Sequence, residues 1–587
     1  MRHRSHARSY VASNLRRVMR SFRVGSLLGL CLFVGLTLFY LRTHTPRKPI
    51  DITPPELTKE LPPSTSASHP IHQLITEAEK QHEDVLARQS DTLAKAVEEY
   101  RRRYKLPPPP NFDKWYEFAK DKGVQLIDEY DTIYHALLPF WGLQPSVIRG
   151  RAKESLGFDN AMLGLTVRNG QVLSAAGGTE WQQKSTSGML EEFVKHLPDM
   201  DLPFNIHDEP RVVVPHDDLS RLVAIAKDQE IPAAIESSAL KNYWSPRPPD
   251  LEDGLRPYET KTTRFNRFAH QPTWTISRMS CSPDSPARAL DESTIDNRTS
   301  FATSELGLIF NKSAFSNICL SPSLRDRHGF FNRPNAFNIV HDLFPVFSQS
   351  KISSFQDILY PSPWYWSNKV AYDENSDHSW EEKKDKLYWR GSTTGGFSRN
   401  GGWRRQHRQL FVEKINALDN TTVMENEGAL DGSQWASKEV RRTDYKEMFD
   451  VHFAHVGQCD PGDCDAQKEY FEIAKPDKQH EAWKYKYLLD IDGNAFSGRF
   501  YAFLKSMSLV YKMAVFREWH EEWLKPWVHY IPLGLKGDEY VESVRYFRNE
   551  PNGKIQALKL AIQGREWAGK VLRNEDFEVW FFRLLIE

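Results

Sequence analysis

The sequence predicts an α/β protein. Two apolar runs that end in glycine-bearing loops carry this reading. Leu387-Tyr388-Trp389 runs into Arg390-Gly391-Ser392-Thr393-Thr394-Gly395-Gly396, and Lys486-Tyr487-Leu488-Leu489 runs into Asp490-Ile491-Asp492-Gly493-Asn494. A helical pattern from Ser497 to Met513 follows the second loop, and Val528 to Leu533 reads as a further strand. Strand, loop and helix in series build sheets covered by helices, with ligands at the strand ends.

Composition narrows the function classes. The 587 residues carry 77 basic and 78 acidic side chains, a net charge of −1, which excludes a nucleic-acid binder with a strongly basic body. A mean hydropathy of −0.59 excludes a polytopic membrane protein. Aromatic residues make up 12%, a level that suits carbohydrate contact and a large aromatic core equally.

The N-terminal end reads differently from the rest. Arg2, Arg4, Arg8, Arg16, Arg17, Arg20 and Arg23 precede an uncharged run from Val24 to Leu41, and the first acid is Asp51. Eighteen helical residues span roughly 27 Å at 1.5 Å per residue, enough for a thin bilayer. The run exceeds the usual apolar length of a cleaved signal, so we expect a retained anchor. Fewer cations on its C-terminal flank place the N-terminus in the cytosol and the body in the lumen. The expected location is therefore a single-pass type II protein of the Golgi or endoplasmic reticulum membrane.

Thr43 to Pro70 holds seven prolines and reads as an extended stem. Ile71, Leu74, Ile75, Ala78, Val85, Leu86, Leu93, Ala96, Val97, Tyr100 and Tyr104 then recur at helical spacing, predicting one long amphipathic helix that ends before Pro107–Pro110. It could serve as a dimerising stalk or pack on the body. Cysteine usage suits an oxidising lumen. Cys459 and Cys464 flank a turn, and by elimination Cys281 would pair with Cys319. Asn297, Asn311 and Asn420 are N-glycosylation acceptors by motif.

The loops offer chemistry. In RGSTTGG the backbone N–H groups can face an anion, and Arg390 adds a forked cation. Gly493, Ser497, Gly498 and Arg499 repeat the theme at the second strand end. Asp490 and Asp492 form an Asp-x-Asp pair of the kind that holds a divalent ion on a nucleotide diphosphate. The neighbouring arginines would compete with a cation, so the pair is read as a cap and a turn, and no metal is expected. In Asn205-Ile206-His207-Asp208-Glu209-Pro210-Arg211, Asp208 sits at a strand end before a proline-forced turn. It is either a proton acceptor facing a cleft, or a residue that caps the turn or pairs with Arg211.

Three blocks in order, Lys386 to Ser392, Lys484 to Phe500 and Leu524 to Pro532, resemble glycosyltransferase family 90, which includes Rumi-type protein O-glucosyltransferases and fungal capsule-associated xylosyltransferases. Tyr100 to Tyr104 with Pro107 to Tyr116, Asn205 to Pro210, Phe344 to Lys351 and Asp357 to Pro361 are further matches. The resemblance implies a GT-B-like pair of Rossmann-type domains, here preceded by a transmembrane helix and a helical stem. It also implies an inverting mechanism, a UDP-sugar as co-substrate, and no other cofactor. Asp208 matches the family's catalytic base. Arg390, Gly391 and Ser392 match one donor-binding loop, with Arg399 as its next arginine, and Gly493, Asn494, Ala495, Phe496, Ser497, Gly498 and Arg499 match the second. Where animal members carry Asn-Phe-Arg-Gly-Val, this chain has Asp-Ile-Asp-Gly-Asn.

The expected organisation is a cytosolic tail 1–23, an anchor 24–41, a proline-rich and helical stem 42–110, an acceptor-side part 111–345 and a nucleotide-sugar part 346–587, whose halves can interleave. The expected activity is transfer of xylose or glucose from a UDP-sugar to a hydroxyl of a glycan or glycoprotein, for example in capsule or cell-wall polysaccharide. The expected partners are that donor, that acceptor, the membrane and, through the stem helix, a second copy. The other reading is a catalytically silent, membrane-tethered carbohydrate-binding or scaffold protein on the same fold.

Overall fold

A computed structural model describes residues 67–587 except 237–240, 269, 290, 292 and 429–433. The tail 1–23, the apolar run 24–41 and the stem to residue 66 lie outside the described residues. Among the described residues no helix is long and apolar enough to cross a membrane.

Two five-stranded sheets carry the site. The first is built from β1 (Met162–Arg168), β2 (Gln171–Ala176), β3 (Met200–Asn205), β4 (Phe347–Ser348) and β5 (Ile358–Leu359), in the order β2-β1-β3-β4-β5. The second is built from β6 (Lys384–Ser392), β7 (Phe449–His455), β8 (Tyr485–Ile491), β9 (Leu509–Met513) and β10 (Ile531–Pro532), in the order β7-β6-β8-β9-β10. Every pairing in the second sheet is parallel. Its central strands are buried on both faces, as parallel strands between helices must be.

The first sheet departs from a Rossmann-type pattern. Asn169 and Gly170 both take positive φ, 51° and 72°, and so form a two-residue hairpin that forces β2 antiparallel to β1. β3 is also antiparallel to β1, while β3, β4 and β5 run parallel. The mixed sheet therefore places the C-terminal ends of β2, β3, β4 and β5 on one side and that of β1 on the other.

The strand order of the second sheet reverses at β6. The chain leaves β6 for β7 on one side and returns to β8 on the other. Loops after neighbouring strands diverge at such a point and open a crevice at their C-terminal ends. The two glycine-bearing loops predicted to bind a ligand flank this crevice.

Two stretches differ from the sequence reading. Ser497 to Met513 is not one helix. A short helix, Phe500–Lys505, stops at Ser506, whose hydroxyl and N–H both bond the Phe503 carbonyl, and β9 follows. The helical stretch 71–104 is two helices, α1 (Pro70–Ala87) and α2 (Leu93–Tyr104). The chain breaks between them because Ser90 N–H bonds Asp128 at 2.7 Å and Thr92 caps α2.

Both helices pack on the body. Ile71, Leu74 and Ile75 join the core shared by Trp389, Tyr487, Val541 and Leu560. His69 caps α1 through Nδ1, which leaves Nε2 to donate to Glu542 at 2.8 Å. Tyr100 donates to Glu587 at 2.8 Å. The apolar face that would zip a stalk is thus consumed within the chain, which removes the basis for a dimer through this helix.

The disulfides Cys281–Cys319 and Cys459–Cys464 are both formed. Asn297 and Asn420 are exposed, whereas Asn311 is 2% exposed and accepts from the Ala314 N–H to cap a helical turn. A buried cap has no room for a glycan, so Asn311 leaves the set of glycosylation acceptors.

Ile75→Ala tests the packing of α1. Truncating a fully buried isoleucine is expected to cost about 2–5 kcal/mol in denaturant unfolding. A free stalk helix would leave stability unchanged and alter the oligomeric state instead.

Candidate functional site

The site is assembled from three loops. Asp208 lies on the loop after β3, and a buried polar network fixes that loop. Asn205 accepts from His207 N–H at 3.0 Å and from Arg211 Nη1 at 2.9 Å, and donates to the Glu209 carbonyl at 2.8 Å. Arg211 and Val212 N–H groups both donate to Asp357, each at 2.8 Å. The Arg211 guanidinium is spent on Asn205 and on the carbonyls of Asn160, Ala161 and Asn338. Asp208 therefore does not pair with Arg211.

Asp208 keeps an exposed face but is crowded by protein on its other sides. This desolvation raises its carboxyl above the usual range, and a hydrogen bond from the Asn494 side chain works against the rise. Next to it, buried Glu209 accepts from the Ala336 N–H at 2.8 Å, and burial pushes its carboxyl up to about 8, with the Asp208 charge adding to the effect. At neutral pH Glu209 is then largely protonated.

The first glycine loop follows β6. Gly395 and Gly396 take φ of +110° and +153°, and a Cβ on Gly395 would stand 2.7 Å from His407. These are positions that only glycine fills without strain. Gly395 N–H donates to Asn494 Oδ1 at 3.2 Å. Asn494 thus holds the first glycine loop with its carbonyl and lies near enough to Asp208 to favour the charged carboxylate, so one side chain faces all three loops.

Two arginines supply the charge. Arg499, half-buried, donates to the Arg390 carbonyl at 2.6 Å. Arg408 sits in the first turn of the helix His407–Ile415 and is 7% exposed. It donates to the carbonyls of Asp492 at 2.8 Å, Ser392 at 3.1 Å and Ile491 at 3.2 Å, and to the Thr394 hydroxyl at 2.9 Å. No carboxylate stands within ion-pair distance of either guanidinium among the described residues. Burial lowers both pKa values, and for Arg408 the nearby Arg499 adds to it. Two uncompensated guanidiniums and a helix N-terminus at the switch point of a parallel sheet form a site for a polyanion such as a diphosphate.

Sequence reasoning missed Arg408. The signal was its place, on the helix that opens directly after a glycine loop. Two expected residues do not serve the site. Arg390 turns back along β6, where it donates to the Asp450 carboxylate at 2.6 Å, approaches Asp477 at 3.4 Å and lies over the Tyr388 ring. Only its backbone carbonyl contributes, by holding Arg499. Arg399 is on the surface, paired with Asp460 at 2.6 Å.

The other loop residues divide by burial. Ser392 bonds the Thr394 hydroxyl at 2.8 Å beside Arg408. Gly391 packs over the Trp389 ring, leaving no space for a Cβ. Ala495 and Phe496 face a core cluster, and Ala495 closes the turn by accepting from Gly493 N–H at 2.7 Å. The carbonyls of Ser497 and Gly498 are held by Tyr365 at 2.6 Å and Trp364 at 3.2 Å. Gly493, Asn494, Gly498 and Arg499 are left at the crevice.

Asp490 and Asp492 are both buried. Asp490 pairs with Lys512 at 3.1 Å, and Lys512 also reaches Glu518 at 3.4 Å. Asp492 accepts from the N–H groups of Val515 at 2.6 Å and Phe516 at 3.0 Å. One oxygen of each carboxylate, Oδ2, is thus engaged inside the fold, while each Oδ1 is buried without a hydrogen-bond partner among the described residues.

Exchange of the arginines separates these roles. With UDP as the probe, Arg499→Ala is expected to weaken binding at least tenfold, the scale of a lost charge-assisted hydrogen bond of about 1.5–3 kcal/mol, and Arg408→Ala to weaken it as well, through lost charge and lost bonds to the carbonyls of both loops. Arg390→Gln should change it less than about threefold, because no side-chain contact to the ligand is lost. Calorimetry on samples shown to be folded by circular dichroism checks both.

Comparison with known proteins bears on the same region. The chain is 26% identical over 264 residues to an O-glucosyltransferase rumi homolog of Aedes aegypti, covering 41% of this chain and 54% of that protein. It is 26% identical over 257 residues to the O-glucosyltransferase rumi of Drosophila melanogaster and 27% identical over 266 residues to the human protein O-glucosyltransferase 1, covering 41% of this chain and 53% and 56% of those proteins. The chain spans about half the length of the curated relatives it matches. Asp208 lies ahead of the family-matched stretch, so its place in the site rests on the geometry. Over residues 331–587, which carry β6, β8 and both of their loops, the chain matches glycosyl transferase family 90.

Proposed function

We propose that the chain is an inverting glycosyltransferase that moves a sugar, glucose or xylose, from a UDP-sugar to a hydroxyl of a glycan or glycoprotein. The observation that carries this reading is the junction at Asn494, where the Asp208 carboxylate meets a loop system bearing two arginines that make no ion pair among the described residues. The relatives are named as O-glucosyltransferases, which favours glucose. The facing strand-end loops of the two sheets suit a GT-B-like cleft.

The chemistry needs few parts. Asp208 accepts the proton of the acceptor hydroxyl while that oxygen bonds the anomeric carbon from the face opposite the leaving group. The bond from the anomeric carbon to the diphosphate oxygen breaks, and the charge left on UDP is met by Arg408, Arg499 and the N–H groups of the glycine loop. One base and one anion site fit a single displacement. A catalytically silent scaffold has no use for an isolated carboxylate held beside an anion site. With Asp490 and Asp492 engaged inside the fold, charge neutralisation falls to the arginines and no metal is required. The arginine-flanked run 24–41 and the two disulfides support a type II anchor with the body in the lumen of the secretory pathway.

Asp208→Asn keeps the side chain's shape and removes the proton acceptor. Transfer should fall about 10²–10⁴-fold while UDP affinity is retained. An active Asp208→Asn enzyme sinks the assignment.

The pH profile offers a finer check. Activity should rise with pH as Asp208 ionises, with the acidic limb above the usual carboxylate range. Asn494 stabilises the charged form, so Asn494→Ala should move that limb to still higher pH.

Metal dependence is decided separately by chelation. Transfer in EDTA should match transfer without it. Loss of activity with EDTA and recovery with manganese would reassign Asp490 and Asp492 as ligands.

A further inference from the structure

Between the Asp208 loop and the second donor loop stand two half-exposed tryptophans. Trp181 is on the helix Glu180–Gly188, and Trp364 is on the short helix Pro363–Trp366. Their ring centroids are 6.0 Å apart and their planes meet at 78°, so they form a corner. Trp364 is anchored to the donor side through its bond to the Gly498 carbonyl at 3.2 Å. Trp181 is anchored to the base side, because its neighbour Gln182 donates to the Ile206 carbonyl at 3.5 Å, two residues before Asp208. The corner is therefore continuous with the place where an acceptor hydroxyl must lie.

Its polar rim consists of donors. Lys369 holds its ammonium 4.4 Å above the Trp181 ring and has no carboxylate partner among the described residues. Among the described residues the Trp181 indole N–H has no protein acceptor either. Flat π faces bind the C–H faces of a pyranose, whose edge hydroxyls accept hydrogen bonds from such donors. A peptide in extended form needs paired backbone donors and acceptors from its host, which this corner does not offer.

We propose that Trp181, Trp364 and Lys369 form a saccharide subsite, so that the acceptor is a sugar chain whose reactive hydroxyl is presented to Asp208. This rests on the transferase reading for its place in the reaction, but the binding itself does not require turnover.

The test is calorimetric titration of the full chain with maltotriose, cellotriose, xylotriose and mannotriose, each with and without UDP. The comparison ligand is a serine-containing peptide. At least one trisaccharide should bind saturably. Trp181→Ala should weaken that binding at least tenfold, and Trp181→Phe should restore most of it, while UDP affinity stays unchanged in both variants. Absence of trisaccharide binding to the unmodified chain, equal binding by Trp181→Ala, or saturable binding of the peptide alone overturns the subsite. Trisaccharide binding that depends on Trp181 in a chain that binds no UDP supports the subsite and defeats the transferase reading, so the two failures are distinguishable.

Discussion

The site depends on the two ends of one amide. Asn494 accepts from Gly395 with its carbonyl and stabilises Asp208 with its side-chain hydrogen bond. An amide is the short side chain that offers an acceptor and a donor at once. Aspartate here would repel Asp208, and an alkyl side chain would leave both the Gly395 N–H and the carboxylate without a partner. Through this side chain a loop from a mixed sheet and two loops from a parallel sheet come together. The resembling family's animal members carry Val at this place. The departure in the Asp-Ile-Asp-Gly-Asn stretch, which opened the question of a metal, is used here to join the loops.

The positive charge of the crevice has its own requirement. Asp490 is close enough to Arg499 to favour its charged form. If Asp490 engaged that guanidinium fully, the anion site would lose half its charge. Lys512 prevents this by pairing with Asp490 at 3.1 Å from the neighbouring strand. A buried ion pair is weak evidence for stability, but removing one partner of such a pair leaves a costly unpaired charge. The pair Asp490–Lys512 serves best as a device that keeps Arg499 available. Arg408 reaches the same end differently, since carbonyl oxygens satisfy its donors without cancelling its charge.

Much of this was legible in the sequence, and the failures have definite causes. The two strand-and-loop units stood out because an apolar run followed by glycines has few other uses. The disulfide pairs followed from count and proximity. Arg390 was misplaced because a motif shows that an arginine ends a strand, not which way it faces. Alternation could have helped: Leu387 and Trp389 enter the core, so Tyr388 and Arg390 lie on the opposite face, where Asp450 and Asp477 meet them. The helix break near residue 90 and the burial of Asn311 depend on Asp128 and on a helical-turn cap. Such tertiary partners leave no periodic trace. The Asn169-Gly170 hairpin was readable, and with it the mixed character of the first sheet.

The division of labour between the sheets follows from their topologies. A parallel sheet with a reversal in strand order opens loops and helix N-termini toward one crevice, which suits an anion. The mixed sheet has one reversed strand, β1, between β2 and β3, and beside it offers the C-terminal end of β3. The Asn205, Arg211 and Asp357 network makes the loop after β3 rigid by satisfying every nearby donor before Asp208 is reached. Arg211, three residues away, is the natural partner for a carboxylate, yet its guanidinium is already bound to Asn205 and to main-chain carbonyls. Asp208 is thereby denied a cation and kept crowded, the combination that raises a carboxyl pKa toward the range of a useful base. Its basicity is thus a consequence of how the neighbouring backbone is hydrogen-bonded, and the single bond from Asn494 sets how far the rise goes.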